Sequence, residues 1–210
     1  MLQVVKKERS GRRKVNKRRG NMVEGIKSIA LNLFNQWGYR GTTVRDICNE
    51  IEITAPSLYY YFDSKETIFS TLLEDSSELL MKHLQEVMEH CGEATAPERM
   101  KALFFGILSF NKKYPDNALF IVKNRCFEEK GLEDLVADHM KQYGKDLSKN
   151  IREFINASQK RRMPKSSVND IIIAFDGFTT GYLLQLHQGL IKDTPEQAEK
   201  AWAFFWDGMK

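Results

Sequence analysis

The chain has little cysteine, little proline and no long apolar run. Its three cysteines, Cys48, Cys91 and Cys126, are far apart and odd in number, with no metal-ligand spacing around them. No disulfide framework is indicated, and buried, reduced thiols of a cytoplasmic protein are expected. No apolar stretch approaches the ~20 residues of a membrane span, and no apolar core follows the charged N-terminus as a signal peptide requires. Five prolines and scarce period-two alternation point to an all-α fold. Gly-rich phosphate loops, zinc-type His/Cys spacings and nucleophile elbows are all missing. His83, His90, His139 and His187 form no pairs in the pattern. No catalytic residue, metal or cofactor is expected, and an enzyme is the least favoured class.

Hydrophobic residues make up 42% of the 210, enough for a real core. The formal net charge of +4 hides an asymmetry: residues 1–20 hold nine Lys/Arg against Glu8 alone. Such a block repels itself and reads as a mobile basic arm. Attraction to phosphate with counterion release is one role for it, and a solubilising tail is the other.

Helical periodicity then takes over. Ile26, Ile29, Ala30, Leu33, Phe34 and Trp37 form one apolar face, and Gly38 sits where a helix C-cap needs a left-handed residue. Thr42 or Thr43 caps a second helix, with Asp46 placed as in a capping box and Val44, Ile47, Cys48 and Ile51 as its buried stripe. Glu52-Ile53 is a turn. Thr54 caps a third helix with Pro56 in its first turn, and Leu58 and Phe62 point inward. Ser64 caps a long fourth helix that ends near Cys91-Gly92. Further helices are expected from about Pro97 to Tyr114, Pro115 to Glu129, Leu132 to Gln159, Ser166 or Ser167 to Gly189, and from Thr194-Pro195 onward. The two short helices and their turn have the form of a helix-turn-helix. Its second member carries more tyrosine than one buried face absorbs.

In such a pair the first helix crosses the DNA backbone, and the N-terminal residues of the second reach base edges. Thr43 and Arg45 stand where phosphate or base contacts begin. Thr54, Ser57 and Tyr60 face away from the Leu58–Phe62 stripe and are the expected reading residues. Tyr59 packs or touches phosphate, and Tyr61 belongs to core or interface. Lys65, at a helix N-terminus whose amides favour anions, is expected on phosphate.

The run Phe34…Gly38-Tyr39…Thr42-Thr43-Val44-Arg45-Asp46-Ile47…Leu58-Tyr59-Tyr60-Tyr61-Phe62…Ser64-Lys65-Glu66…Phe69 resembles the N-terminal domain of TetR/AcrR transcriptional regulators. The likeness covers roughly residues 22–75; the remainder fits in length and helicity alone. It implies a three-helix, homeodomain-like DNA-binding domain at 21–68, after the arm at 1–20. It also implies an all-helical ligand-binding and dimerisation domain at 69–210. The implied partners are a palindromic double-stranded operator, a second copy of the chain and an unknown small-molecule effector, with no membrane. Effector binding would move the long fourth helix and release the operator. Two positions depart from the family pattern. Glu52 stands where a glycine is usual, at a cost of roughly 1–2 kcal/mol in a left-handed conformation, so a turn of different shape is expected. Ala55-Pro56 replaces a polar-glycine pair, removing side-chain donors while still able to touch a thymine methyl.

For the effector pocket the expected lining is Phe104, Phe105, Leu108, Phe120, Asn124, Phe127, His139, Tyr143, Phe175, Asp176 and Phe178. Gly177 and Gly181, one helical turn apart, let another helix approach closely. With Leu184, Trp202, Phe205 and Trp206 they form the expected dimer interface. The leading expectation is a repressor released by a small molecule. The alternative is an effector-independent activator or architectural protein with the same reading head.

Overall fold

A computed structural model describes residues 2–127, 129–157 and 167–208, with side chains from Arg19 onward. Helices alone form the regular structure of the described residues: α1 (Leu2–Gly41), α2 (Val44–Glu50), α3 (Ala55–Tyr59), α4 (Lys65–Glu89), α5 (Ala96–Lys113), α6 (Pro115–Cys126), α7 (Glu133–Asn156), α8 (Val168–His187) and α9 (Pro195–Asp207). No helix among them is long and apolar enough to cross a membrane. They divide into two compact units, one of Met1–Leu72 with Glu129–Leu132, the other of Leu73–Glu128 with Glu133–Lys210.

In the first unit, α1 runs through the basic segment to Gly41. Once a helix is nucleated, each added residue costs little, which offsets the charge repulsion. Gly38 breaks α1 at φ 72° and ψ 177°. Trp37, expected inside, is 54% exposed. The break redirects the chain so that Tyr39 supplies the apolar contact, edge-on to Phe69 at 5.5 Å between ring centroids. Thr43 caps α2 with a full capping box: its Oγ1 accepts from the Asp46 N–H, and Asp46 Oδ2 accepts from the Thr43 N–H at 2.8 Å. Ile26, Ile47, Leu58, Ile68 and Phe69 are fully buried and join the four helices.

The turn between α2 and α3 keeps the left-handed geometry that glycine favours, contrary to the expected change of shape. Glu52 adopts φ 57°. The Ile53 N–H reaches back to Cys48 O at 3.0 Å, and the Glu52 N–H to Asn49 O at 3.3 Å. This pair of bonds closes α2 as a Schellman motif, which fixes the chain reversal whatever the residue. Glu52→Gly is therefore expected to raise stability by about 1 kcal/mol, the relieved strain outweighing the added chain entropy. Urea titration of the two proteins measures it, and an unchanged midpoint would refute it.

The second unit packs around Leu103, Phe104, Phe110, Phe120, Ile171 and Phe175, all at 2% exposure or less. Arg99 is buried among them. Its guanidinium donates to Gly92 O, Ala94 O and Phe154 O, which satisfies carbonyls that helix ends and the adjoining turn leave open.

Candidate nucleic-acid interface and effector cleft

α3 is short, and its two faces differ sharply. Leu58 is fully buried, while Tyr59 is 50% and Tyr60 67% exposed. Thr54, Pro56 and Ser57 are exposed with them, and Ala55 is half-buried. Thr54 caps the helix, its Oγ1 lying 2.9 Å from Ser57 Oγ and accepting the Ser57 N–H at 3.4 Å. Arg45 is exposed on α2. These residues form a solvated polar and aromatic surface on a rigid turn, the chemistry that reads base edges and phosphates.

Two further positions turn out to serve the fold. The Thr43 hydroxyl is committed to Asp46 at 2.6 Å. That hydrogen bond, and the one from the Thr43 backbone, hold the Asp46 carboxyl below its ordinary range. The capping contribution is thus present above the unfolded carboxylate range of ~4 and fades as pH falls through the lowered folded value. Lys65, expected on phosphate, turns inward. Its Nζ donates to Tyr39 O at 2.6 Å and Thr42 O at 2.7 Å, and lies 3.9 Å from the Tyr39 ring centroid. Burial lowers its pKa, opposed by Glu129 and Asp46. One ammonium proton remains for a phosphate; the other two pin the α1–α2 corner.

Two contributors were missed by the sequence reading. Arg19 lies with its guanidinium 5.4 Å from the Tyr60 ring centroid, so α1 reaches the reading surface. Glu129, ninety residues from Tyr39, accepts the Tyr39 N–H at 2.9 Å. A Cβ at Gly38 would come within 3.3 Å of that carboxylate, a second reason for glycine there besides its positive φ. Contacts this distant in sequence leave no local pattern to read.

In the second unit most of the expected pocket residues are core. Phe104, Leu108, Phe120 and Phe175 are buried, and Phe104 packs on Trp202 at 5.9 Å. Phe105 packs edge-on to Phe104, and Phe178 stacks on Phe205 at 4.5 Å. Phe127 is 54% exposed, because the chain leaves helical geometry at the end of α6. Asn124 is buried and donates to Phe120 O, while Asp176 pairs with Arg125 at 2.5 Å. His139 and Tyr143 do come together, in a cleft of about 860 Å³ between α4 and α7. His139 lies 3.0 Å from Ser77 Oγ, and burial lowers its pKa against the pull of Glu74. The cleft escaped sequence analysis because its rim positions look like ordinary solvated helix faces.

The expected dimer surface also needs correction. Trp202 is 7% exposed, enclosed by Phe104, Phe175 and Phe205 of its own unit. Phe205 and Trp206 are half-buried. Phe204, on the helix expected at the interface, is 82% exposed and Ile173 71%. A Cβ at Gly177 or Gly181 would meet nothing within 4 Å.

A helix-turn-helix with a solvated reading helix, joined to a larger helical unit, defines a DNA-binding regulator. Residues 26–72 match the model of the bacterial regulatory proteins of the tetR family. The biofilm operon icaADBC HTH-type negative transcriptional regulator IcaR of Staphylococcus aureus (strain Newman) is 27% identical over 157 residues, covering 73% of this chain and 80% of its own. The HTH-type transcriptional repressor KstR2 of Mycobacterium tuberculosis is 36% identical over 90 residues, 43% of this chain and 42% of its own. Among solved structures, a TetR transcriptional regulator from Chloroflexus aurantiacus superposes with TM-score 0.71 at 17% identity, covering 90% of this chain and 94% of that one. A TetR-like regulator from Rhodococcus sp. RHA1 gives 0.69 at 18% identity, covering 88% and 93%. Residues 26–72 thus carry a DNA-binding domain of the tetR family type, and the chain as a whole has the fold of TetR-like regulators.

Proposed function

We infer that the chain is a homodimeric repressor which reads a palindromic operator with α3 and is released from it by a small molecule held in its helical unit. The observation that carries this reading is the division of α3. Leu58 anchors one side at zero exposure, while Tyr60 stands 67% exposed on the other, with Thr54, Pro56 and Ser57. A monomer in water gains nothing from an exposed tyrosine cluster, whereas a DNA groove uses its hydroxyls and ring edges. The Arg19–Tyr60 contact supports a DNA role for the basic segment, whose nine Lys/Arg would add counterion release. Both sequence relatives named above are repressors, which favours repression here. Ile173, Gly177, Gly181 and Leu184 on α8, with Phe204 on α9, are the surface proposed to meet the second copy. Residues 21–68 act as the reading head and residues 69–210 as the sensing and pairing body.

Tyr60→Ala is expected to weaken operator binding by roughly tenfold or more, given on the order of 1–3 kcal/mol per base contact. Binding to unrelated duplexes should change little. Gel-shift titration on both DNAs measures this. Equal affinity of parent and variant for the operator would remove α3 from the reading role.

A further inference from the structure

Four residues between α6 and α7, Glu129–Leu132, belong to the first unit, although the helices on either side of them belong to the second. This short excursion lies against the α1–α2 corner. Glu129 is half-buried there and accepts the Tyr39 N–H at 2.9 Å. A Cβ built on Gly131 would stand 3.4 Å from Arg40 Nε, so the loop also lies against the residue after Tyr39. Leu132 is 5% exposed, and its N–H donates to Glu129 O at 3.0 Å, which closes the loop on itself.

Tyr39 follows the Gly38 break, where α1 loses helical geometry. Its carbonyl accepts from Lys65 Nζ at 2.6 Å while its N–H goes to Glu129, so both its backbone polar groups are gripped, by side chains of opposite charge. Hydrogen bonds to ionised groups are among the stronger ones. The Glu129 carboxylate also favours the Lys65 ammonium by charge, so the two grips support each other. Lys65 reaches on to Thr42 O at 2.7 Å, and the Thr42 hydroxyl donates back to Gly38 O at 2.9 Å. Of these bonds, the one to Glu129 alone comes from beyond α4; the others lie within residues 38–65.

α2 begins at Val44, directly after this corner, and α3 follows through the Glu52 turn. The corner therefore sets where the exposed face of α3 stands. A hydrogen bond of 2.9 Å does not survive a displacement of about 1 Å. A shift of that size in α6 or α7 would carry Glu129 off and leave a half-buried N–H without its acceptor. α6 is itself fixed four residues before Glu129, where Arg125 pairs with Asp176 of α8. We propose that Glu129 is a positioning residue for DNA reading: docked on Tyr39 it holds the reading head in its binding geometry, and undocked it lets that geometry go. The α6–α7 loop is then a second connection, besides α4, through which the helical unit acts on the head. This role rests on α3 being the reading helix.

The test compares the parent, Glu129→Gln and Glu129→Ala as full chains. The probes are a duplex selected by the parent from a randomised pool and an unrelated duplex of equal length. Glutamine keeps an acceptor oxygen for the Tyr39 N–H, and alanine removes it. Glu129→Ala should weaken binding to both duplexes by about tenfold or more, and Glu129→Gln should stay within about threefold of the parent. Binding is measured well below the melting midpoint of each protein, so that unfolding does not contribute. Amide hydrogen exchange supplies a readout that lost stability does not mimic. The selected duplex should slow exchange at Tyr39 and at residues 129–132 of the parent, because DNA and the docked loop favour the same state. In Glu129→Ala the duplex should no longer protect residues 129–132. A glutamine variant as weak as the alanine one, or a loop that DNA leaves unprotected in the parent, would overturn the proposal. Tight binding by the parent and both variants leaves α3 as the reader and removes Glu129 from its role. A parent that selects no duplex from the pool overturns the reading role of α3 and the proposal with it.

Discussion

A Lys65→Met variant is expected to unfold more readily by about 2–3 kcal/mol and to lose affinity for every duplex alike. Methionine keeps the apolar stem and removes the ammonium. Tyr39 O and Thr42 O then lose the donor held at 2.6 and 2.7 Å, in a partly buried corner where water replaces it poorly. The Tyr39 ring also loses the cation 3.9 Å from its centroid. The corner positions α2, and α2 positions α3, so the reading surface loosens as a whole. Urea titration followed by circular dichroism gives the stability change, and salt-dependent gel shifts give the binding. A lysine serving phosphate alone would behave differently. Its loss would leave the urea midpoint untouched and lower the salt slope by about one unit. That second pattern would refute the structural role assigned here.

Phe204→Glu is expected to convert a dimer into a monomer and to weaken operator binding by about two to four orders of magnitude, because linked half-site binding is lost. A ring 82% exposed on α9, with Ile173 at 71% on α8, leaves apolar surface that one copy does not cover. The open space above Gly177 and Gly181 lets a partner helix come close. A glutamate there brings like charges together across a twofold axis, where each copy meets its own substitution. Sedimentation equilibrium at several concentrations reads the outcome. The exposed site leaves the monomer fold intact, which circular dichroism verifies. A persistent dimer would move the interface elsewhere. Trp202→Glu would not serve, since that indole fills its own core at 7% exposure and its loss would unfold the unit.

Much of the reading head was legible because its signals are local. Thr43 with Asp46, Thr54 with Pro56, and Gly38 each act within four residues, and each appears in the structure where the pattern puts it. Leu58 and Phe62 are buried as their spacing requires. What escaped depends on contacts between distant segments. Lys65 reads as a surface cation until Tyr39 and Thr42 stand beside it. Glu129 reads as a loop acid until it meets Tyr39. Trp202 and Phe204 lie two positions apart on one amphipathic helix, and sequence does not say which is inside when both are aromatic. The family likeness implied a pocket in the helical body, but the residues expected to line it were chosen for their aromatic bulk, and most of them are core. Phe104 and Phe175 are bulky enough to line a cavity and equally fit to fill one. Here they fill it, and the open volume lies one helix over, against α4.

The division of labour on α3 has one further consequence. Two inward side chains, Leu58 and Phe62, anchor this segment, while Thr54, Ser57 and Tyr60 have few packing duties in the core. Target choice and folding are therefore nearly separate traits. On the proposed reading, a lineage carrying this chain can drift to new DNA addresses by single exchanges at Ser57 and Tyr60, whereas Thr54 also caps the helix and is less free to change.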